Sequence, residues 1–103
     1  MTINKMRAIH PGEILREEYL APLEMSASAL SRELRVPAPR INDIVREKRG
    51  VTPDTALRLA RYYGGDAQSW LNLQTAYDIK LASTGLEPEL NAIRPHAAYS
   101  LTT

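Results

Sequence analysis

Residues 26–50 read SASALSRELRVPAPRINDIVREKRG, and the reading of this stretch decides the fold. Ser26 is a good N-cap, and Ala27, Leu30 and Leu34 follow it at i, i+3 and i+7, the spacing of one helix face. That helix lasts only about two turns, because Val36 precedes Pro37 and is pushed out of the helical region. A second short helix runs from about Ala38 to Arg46. Pro37 and Pro39 fall at its approach and first turn, where a helix has N–H groups to spare, so they stiffen it at little cost. Ile41, Ile44 and Val45 cluster on one side of this helix. Pro39, Asn42, Asp43 and Arg46 project from the other, with Arg40 and Glu47 on a flank. Two helices of this length, joined by three or four residues, have the dimensions of a helix-turn-helix.

Punctuation residues divide the rest of the chain into three further helices, with no convincing strand pattern. His10 caps the first and Pro11 opens it, Ile14, Leu15, Tyr19 and Leu23 form its apolar side, and Pro22 is expected to stop it. After Gly50, Thr52-Pro53-Asp54 caps a helix whose apolar side is Ala56, Leu59, Ala60 and Tyr63. Gly64-Gly65 ends that helix, and Asp66 caps a fifth. In the fifth, Trp70, Leu73, Tyr77 and Leu81 make one stripe while Leu71 and Ile79 lie off it. A helix apolar on more than one side is deeply buried or shared with a partner. A core position within its own subunit is expected for Trp70, and a symmetric dimer contact for Leu71, Gln74 and Asp78. From Ser83 onward the periodicity is weak and two prolines occur, which reads as a short tail. The expected organisation is one all-helical domain over residues 1–82 and a C-terminal tail over 83–103.

At 103 residues the chain is long enough for one small core, and its 44% hydrophobic and 24% charged residues are those of a globular protein. Cysteine is absent, which excludes disulfides, thiolate metal sites and a cysteine nucleophile. The first residues lack the apolar run of a signal peptide, and nowhere do 18 apolar residues occur together, so a cytoplasmic protein with no membrane association is expected. The net charge of +1 says little as a total, but residues 32–49 carry six basic groups against three acidic, while the flanking segments are each slightly negative. Positive charge concentrated on part of a small domain is the footprint of a polyanion partner.

The residue types on the outward face of the second short helix suit base reading. Arg40 and Arg46 have the fork that fits guanine O6 and N7 or bridges to phosphate, Asn42 matches adenine, and Asp43 accepts from cytosine N4 and repels phosphate. Lys48 and Arg49 are placed to clamp phosphates, and Ser26 and Ser28 to donate hydroxyls to the backbone. An enzyme is not indicated. The two histidines are far apart, there is no glycine-rich phosphate loop, and Glu17 and Glu18 diverge by about 100° on a helix. No catalytic residue, cofactor or metal site is expected.

Between Ile9 and Lys80 the motifs HPGEIL, RINDIV, KRGVTPDTALRLARYYG and WLNLQ occur in order. In this combination the chain resembles the HigA antitoxins, within the xenobiotic-response-element (Cro/C1-type) helix-turn-helix family. The resemblance implies a five-helix, lambda-repressor-like domain that dimerises, binds a palindromic operator and represses its own operon as part of a type II toxin-antitoxin module. It also implies neutralisation of a cognate HigB toxin, a RelE-like ribonuclease that cleaves mRNA. The alternative within the same fold is a stand-alone repressor. By the same resemblance the recognition helix falls on Ala38, Pro39, Arg40, Asn42, Asp43 and Arg46, and buried residues on Leu30, Leu34, Val36, Ile41 and Ile44. Three positions depart from the wider pattern: Ser31 at the usual small residue, Arg35 at the usual turn glycine, and Ala27 where relatives often place glutamine.

Overall fold

The computed structural model describes residues 7–98, which form five helices and no strand. Helix α1 spans residues 11–23 as three continuous pieces, Pro11–Ile14, Leu15–Leu20 and Ala21–Leu23. Helices α2 (Ala27–Leu34), α3 (Ala38–Val45), α4 (Pro53–Tyr63) and α5 (Ala67–Ala92) follow. The expected all-α architecture and the helix-turn-helix are both present.

Each helix begins where a local signal starts it. The His10 imidazole accepts the Gly12 N–H at 2.8 Å, Ser26 Oγ that of Ala29 at 3.0 Å, and Asp66 Oδ1 that of Ser69 at 2.7 Å. Three helices end on a left-handed residue that is not glycine: Glu24 (φ 51°), Arg35 (φ 63°) and Glu47 (φ 63°). In each case the next N–H reaches back to a carbonyl of the last turn, Met25 to Leu20 at 3.0 Å, Val36 to Ser31 at 3.0 Å and Lys48 to Asp43 at 2.8 Å. These are Schellman-type closures, normally the province of glycine. Arg35 thus takes the turn conformation that its place in the motif demands, at a cost of about 1 kcal/mol.

Two expectations fail. Pro22 does not stop α1, because the middle piece is π-helical, with the Ala21 N–H donating to the Arg16 carbonyl. The wider turn gives room to the proline ring, which would otherwise strike the carbonyl four residues back, and the helix continues to Leu23. Nor does a tail begin at Ser83. Helix α5 runs unbroken through Gly85 and Pro88 to Ala92, about 39 Å in all. The hydroxyls of Ser83 and Thr84 donate to the Lys80 carbonyl at 3.1 and 3.0 Å along the way.

The core draws on every helix. Leu15, Leu20, Leu30, Leu34, Ile41, Ile44, Val51, Ala56, Leu59 and Trp70 are buried in one cluster, with Val36 half-buried at its edge. Trp70 packs within its own subunit as expected, its ring 5.4 Å from that of Tyr19. Only the first half of α5 joins this core. From Leu81 onward every described residue is exposed, and the projecting helix stretches the molecule to 53 Å against 25 and 22 Å across.

Candidate nucleic-acid interface

The position of α3 is fixed from three sides. Its apolar face, Ile41 and Ile44, is fully buried. At its start, Ser31 is buried in α2 with its hydroxyl 3.0 Å from the Ala27 carbonyl and 3.4 Å from that of Ala38, so the small residue of the motif also ties the two helices together. At its end, the Arg16 guanidinium of α1 donates to the Val45 carbonyl and lies beside Glu17 at 2.9 Å and Glu47 at 3.6 Å. Gly12 lies directly against the Ile44 carbonyl, and a Cβ there would collide with that oxygen. Next to it the buried His10 ring stands edge-on to Tyr77 at 4.8 Å, and burial holds its pKa below the ordinary histidine value, so it is neutral at pH 7.

The turn itself is held from α4. Arg58 Nη1 donates to the Leu34 carbonyl at 2.8 Å and reaches that of Arg35 at 3.4 Å, covering carbonyls that the end of α2 leaves unpaired. On the far side, Gln74 of α5 accepts the Val51 N–H at 2.7 Å and so secures the loop before α4.

The outward face of α3 divides into engaged and unengaged side chains. Ala38 and Pro39 are exposed at its N-terminal end. Pro37 and Pro39 carry no N–H, and that of Arg40 turns back to the Pro37 carbonyl at 3.0 Å. Arg40 Nη1 donates to Asp54 Oδ1 of α4 at 2.7 Å, leaving its Nε and Nη2 edge. Asn42 differs from the expected open, bidentate adenine reader. Its amide nitrogen donates to Ser28 Oγ at 3.2 Å and to the Ala38 carbonyl at 2.9 Å, so its oxygen is the atom left over and the Ser28 oxygen is engaged. Asp43 pairs with Arg49 at 3.1 Å, which draws Arg49 back toward the helix. Ser26 keeps its O–H, since its oxygen serves as acceptor in the cap. Arg46 and Lys48 are exposed, and among the described residues their side chains make no hydrogen bond or ion pair.

Of the residues expected at the dimer contact, Asp78 is exposed and Leu71 and Gln74 are half-buried. Leu71 packs against its own core, and Gln74 is committed to Val51 and, through its amide nitrogen at 2.9 Å, to Asp78. Helix α5 thus turns part of this side toward its own core. The apolar side chains it leaves exposed lie further along, at Ile79, Leu81, Leu86 and Leu90, with Ile93 just beyond its end.

Residues 15–70 match the family model described as helix-turn-helix. The match covers α2, the turn, α3 and α4 and extends to the buried Trp70. The chain belongs to that family. Within it, the chain is 64% identical over 92 residues to virulence-associated protein I of Dichelobacter nodosus, covering 89% of this chain and 84% of that protein. Among solved structures it resembles the Pseudomonas aeruginosa antitoxin HigA with the higBA promoter, at 48% identity and a TM-score of 0.83 over 86% of this chain and 98% of that one. It also resembles the antitoxin GraA in complex with its operator, at 44% identity and a TM-score of 0.82 over 89% and 94%. These likenesses place it in the HigA branch of the Cro/C1-type family, which is one of DNA-binding regulators and antitoxins. No helix among the described residues is long and apolar enough to cross a membrane.

Proposed function

We propose that this protein is the cytoplasmic antitoxin of a type II toxin-antitoxin module: as a dimer it binds a palindromic operator, represses its own operon and neutralises a HigB/RelE-like mRNA-cleaving toxin. The observation that carries the reading is the face of α3. It is short, polar and fixed from behind, and it presents Arg46, Lys48 and the free edge of Arg40 outward on a fold whose relatives include two solved on promoter or operator DNA. Ala38, Pro39, Arg40, Asn42, Asp43 and Arg46 enter the major groove. Ser26, Ser28, Lys48 and Arg49 meet the backbone, with Ser28 and Asn42 exchanging their mutual hydrogen bond for contacts to DNA.

Dimerisation falls to the distal half of α5. Ile79, Leu86 and Leu90 recur at seven and four residues, one stripe of a helix, and Ile93 continues it. Two copies related by a two-fold axis bury this stripe against itself, and a helix-turn-helix dimer sets two recognition helices about 34 Å apart. Lys48 and Arg49 take over the phosphate positioning that Pro37 and Pro39, lacking N–H donors, do not supply. The deciding experiment is a footprint on the DNA upstream of the protein's own gene, with and without the neighbouring gene product. A protected palindrome that changes when the neighbour is added supports the reading. The absence of any protected palindrome overturns it.

A further inference from the structure

Asp54 lies outside the helix-turn-helix, in the first turn of α4, yet its Oδ1 accepts from two guanidinium groups, Arg40 Nη1 of α3 and Arg58 Nε, each at 2.7 Å. Arg58 is fixed at its other end by the Leu34 and Arg35 carbonyls. A continuous path therefore runs from the backbone of the α2–α3 turn through Arg58 and Asp54 to Arg40. Every link is a hydrogen bond to a charged group, the strong and directional kind.

An arginine on a helix surface loses side-chain entropy when it docks, and one already pinned loses less. Asp54 takes only Nη1. The Nε and Nη2 donors remain as a parallel pair along one edge of the guanidinium, the arrangement that meets two acceptors at once. The side chains of Arg40, Asp54 and Arg58 are 29%, 54% and 39% exposed, so the path sits at the protein–water boundary with its free edge accessible. The Asp54 carboxyl is held below the usual carboxylate range, first by Arg58 and then by Arg40, so it is ionised across the whole neutral range.

We propose that Asp54, anchored by Arg58, is a positioning residue that aims the Nε–Nη2 edge of Arg40 at the O6 and N7 acceptors of a guanine in the operator. This rests on the reading of α3 as the DNA-reading helix. It assigns specificity to two residues of α4 that touch no base. The guanine edge is preferred to phosphate because two fixed donors in one plane match its two acceptors, whereas a phosphate is met from many directions.

The test uses the full chain and four proteins: wild type, Asp54→Asn, Arg40→Ala and the double variant. Each is titrated by fluorescence anisotropy against a duplex of the footprinted operator, against duplexes substituted one base pair at a time, and against an unrelated duplex of equal length. The expected result is that Asp54→Asn weakens operator binding about fivefold or more and relaxes discrimination at the same base pair as Arg40→Ala. It leaves binding to the unrelated duplex equal or tighter, and adds nothing in the Arg40→Ala background. Additive losses, or a loss spread evenly over all sequences as a phosphate contact would give, overturn the proposal. Because Asp54 also stands in the first turn of a helix, thermal melts accompany the titrations. A carboxyl-detected NMR titration of the DNA-free proteins reads the pairing directly. The Asp54 pKa should rise in Arg40→Ala, and a value unmoved by that substitution overturns the path regardless of folding. Wild type with no preference for any sequence would mark the failure of the DNA reading itself. Preference retained undiminished in Asp54→Asn would mark the failure of the path alone.

Discussion

Helices α3 and α5 use the same chain in opposite ways. Helix α3 has eight residues, too few to be stable alone, and nearly every part of it is held by another element: Ser31 and Arg58 around its start and turn, Gly12 and Arg16 at its end, Ile41 and Ile44 in the core. Helix α5 has 26 residues, buries one of them, and leaves its second half in solvent. A short helix placed by many long-range ties presents its outer face in one fixed orientation. A long helix that outruns its own core carries apolar surface for a second body.

The contrast breaks most severely at Gly12. Replacement by alanine drives a methyl into the Ile44 carbonyl, so α1 and α3 must separate, and an unfolding free energy lower by about 3 kcal/mol or more is expected in urea denaturation. Unchanged stability would show that α1 does not seat α3. On α5 the expected effect is on assembly and not on folding. Leu86→Glu with Leu90→Glu should leave a cooperative melt whose midpoint no longer depends on protein concentration, shift the mass by light scattering to that of a monomer, and weaken operator binding about a hundredfold through loss of the second half-site. A variant that remains dimeric removes the distal stripe from the interface.

Smaller effects sharpen the contrast on the α3 face. Arg46→Ala should cost about 1–3 kcal/mol of operator binding with stability unchanged, since the side chain has no intramolecular partner among the described residues. Lys48→Ala should weaken binding to all sequences alike and reduce the salt slope by about one. Smallest is a pH effect at the α1–α5 contact. His10 has a folded pKa below its unfolded value of 6.5, so the unfolded chain takes up the proton first, and the stability it contributes is complete above 6.5 and declines as pH falls toward the folded value. Urea unfolding at pH 7.5 and 5.5 should show that decline in the wild type and a smaller one in His10→Gln.

What could be read from the sequence is what depends on neighbours in the chain. Ser26, Thr52, Asp66 and His10 cap helices because their side chains reach N–H groups two or three residues on, and the spacing of Leu30, Leu34, Ile41 and Ile44 fixes which face is buried. The unread part lies in pairings across 14 to 29 residues, Asn42 with Ser28, Arg40 with Asp54, Gln74 with Val51, Arg58 with Leu34, Arg16 with Val45. A surface arginine or glutamine looks the same in sequence whether it faces water or closes a turn. The two misplaced helix ends have one cause. Pro22, Gly85 and Pro88 disfavour helix locally, by about 1–3 kcal/mol each, but a π-helical turn in α1 and, in α5, the hydrogen-bonded turns on either side of Pro88, which has no N–H of its own to donate, carry the helix through.

Glu24, Arg35 and Glu47 keep the three left-handed helix ends free of glycine. At about 1 kcal/mol apiece they raise the equilibrium share of opened chain by roughly two orders of magnitude over a molecule with glycine at all three. None of the three belongs to the buried cluster. How long a copy of this protein survives a protease is thus adjustable at three surface positions, without altering a single buried residue.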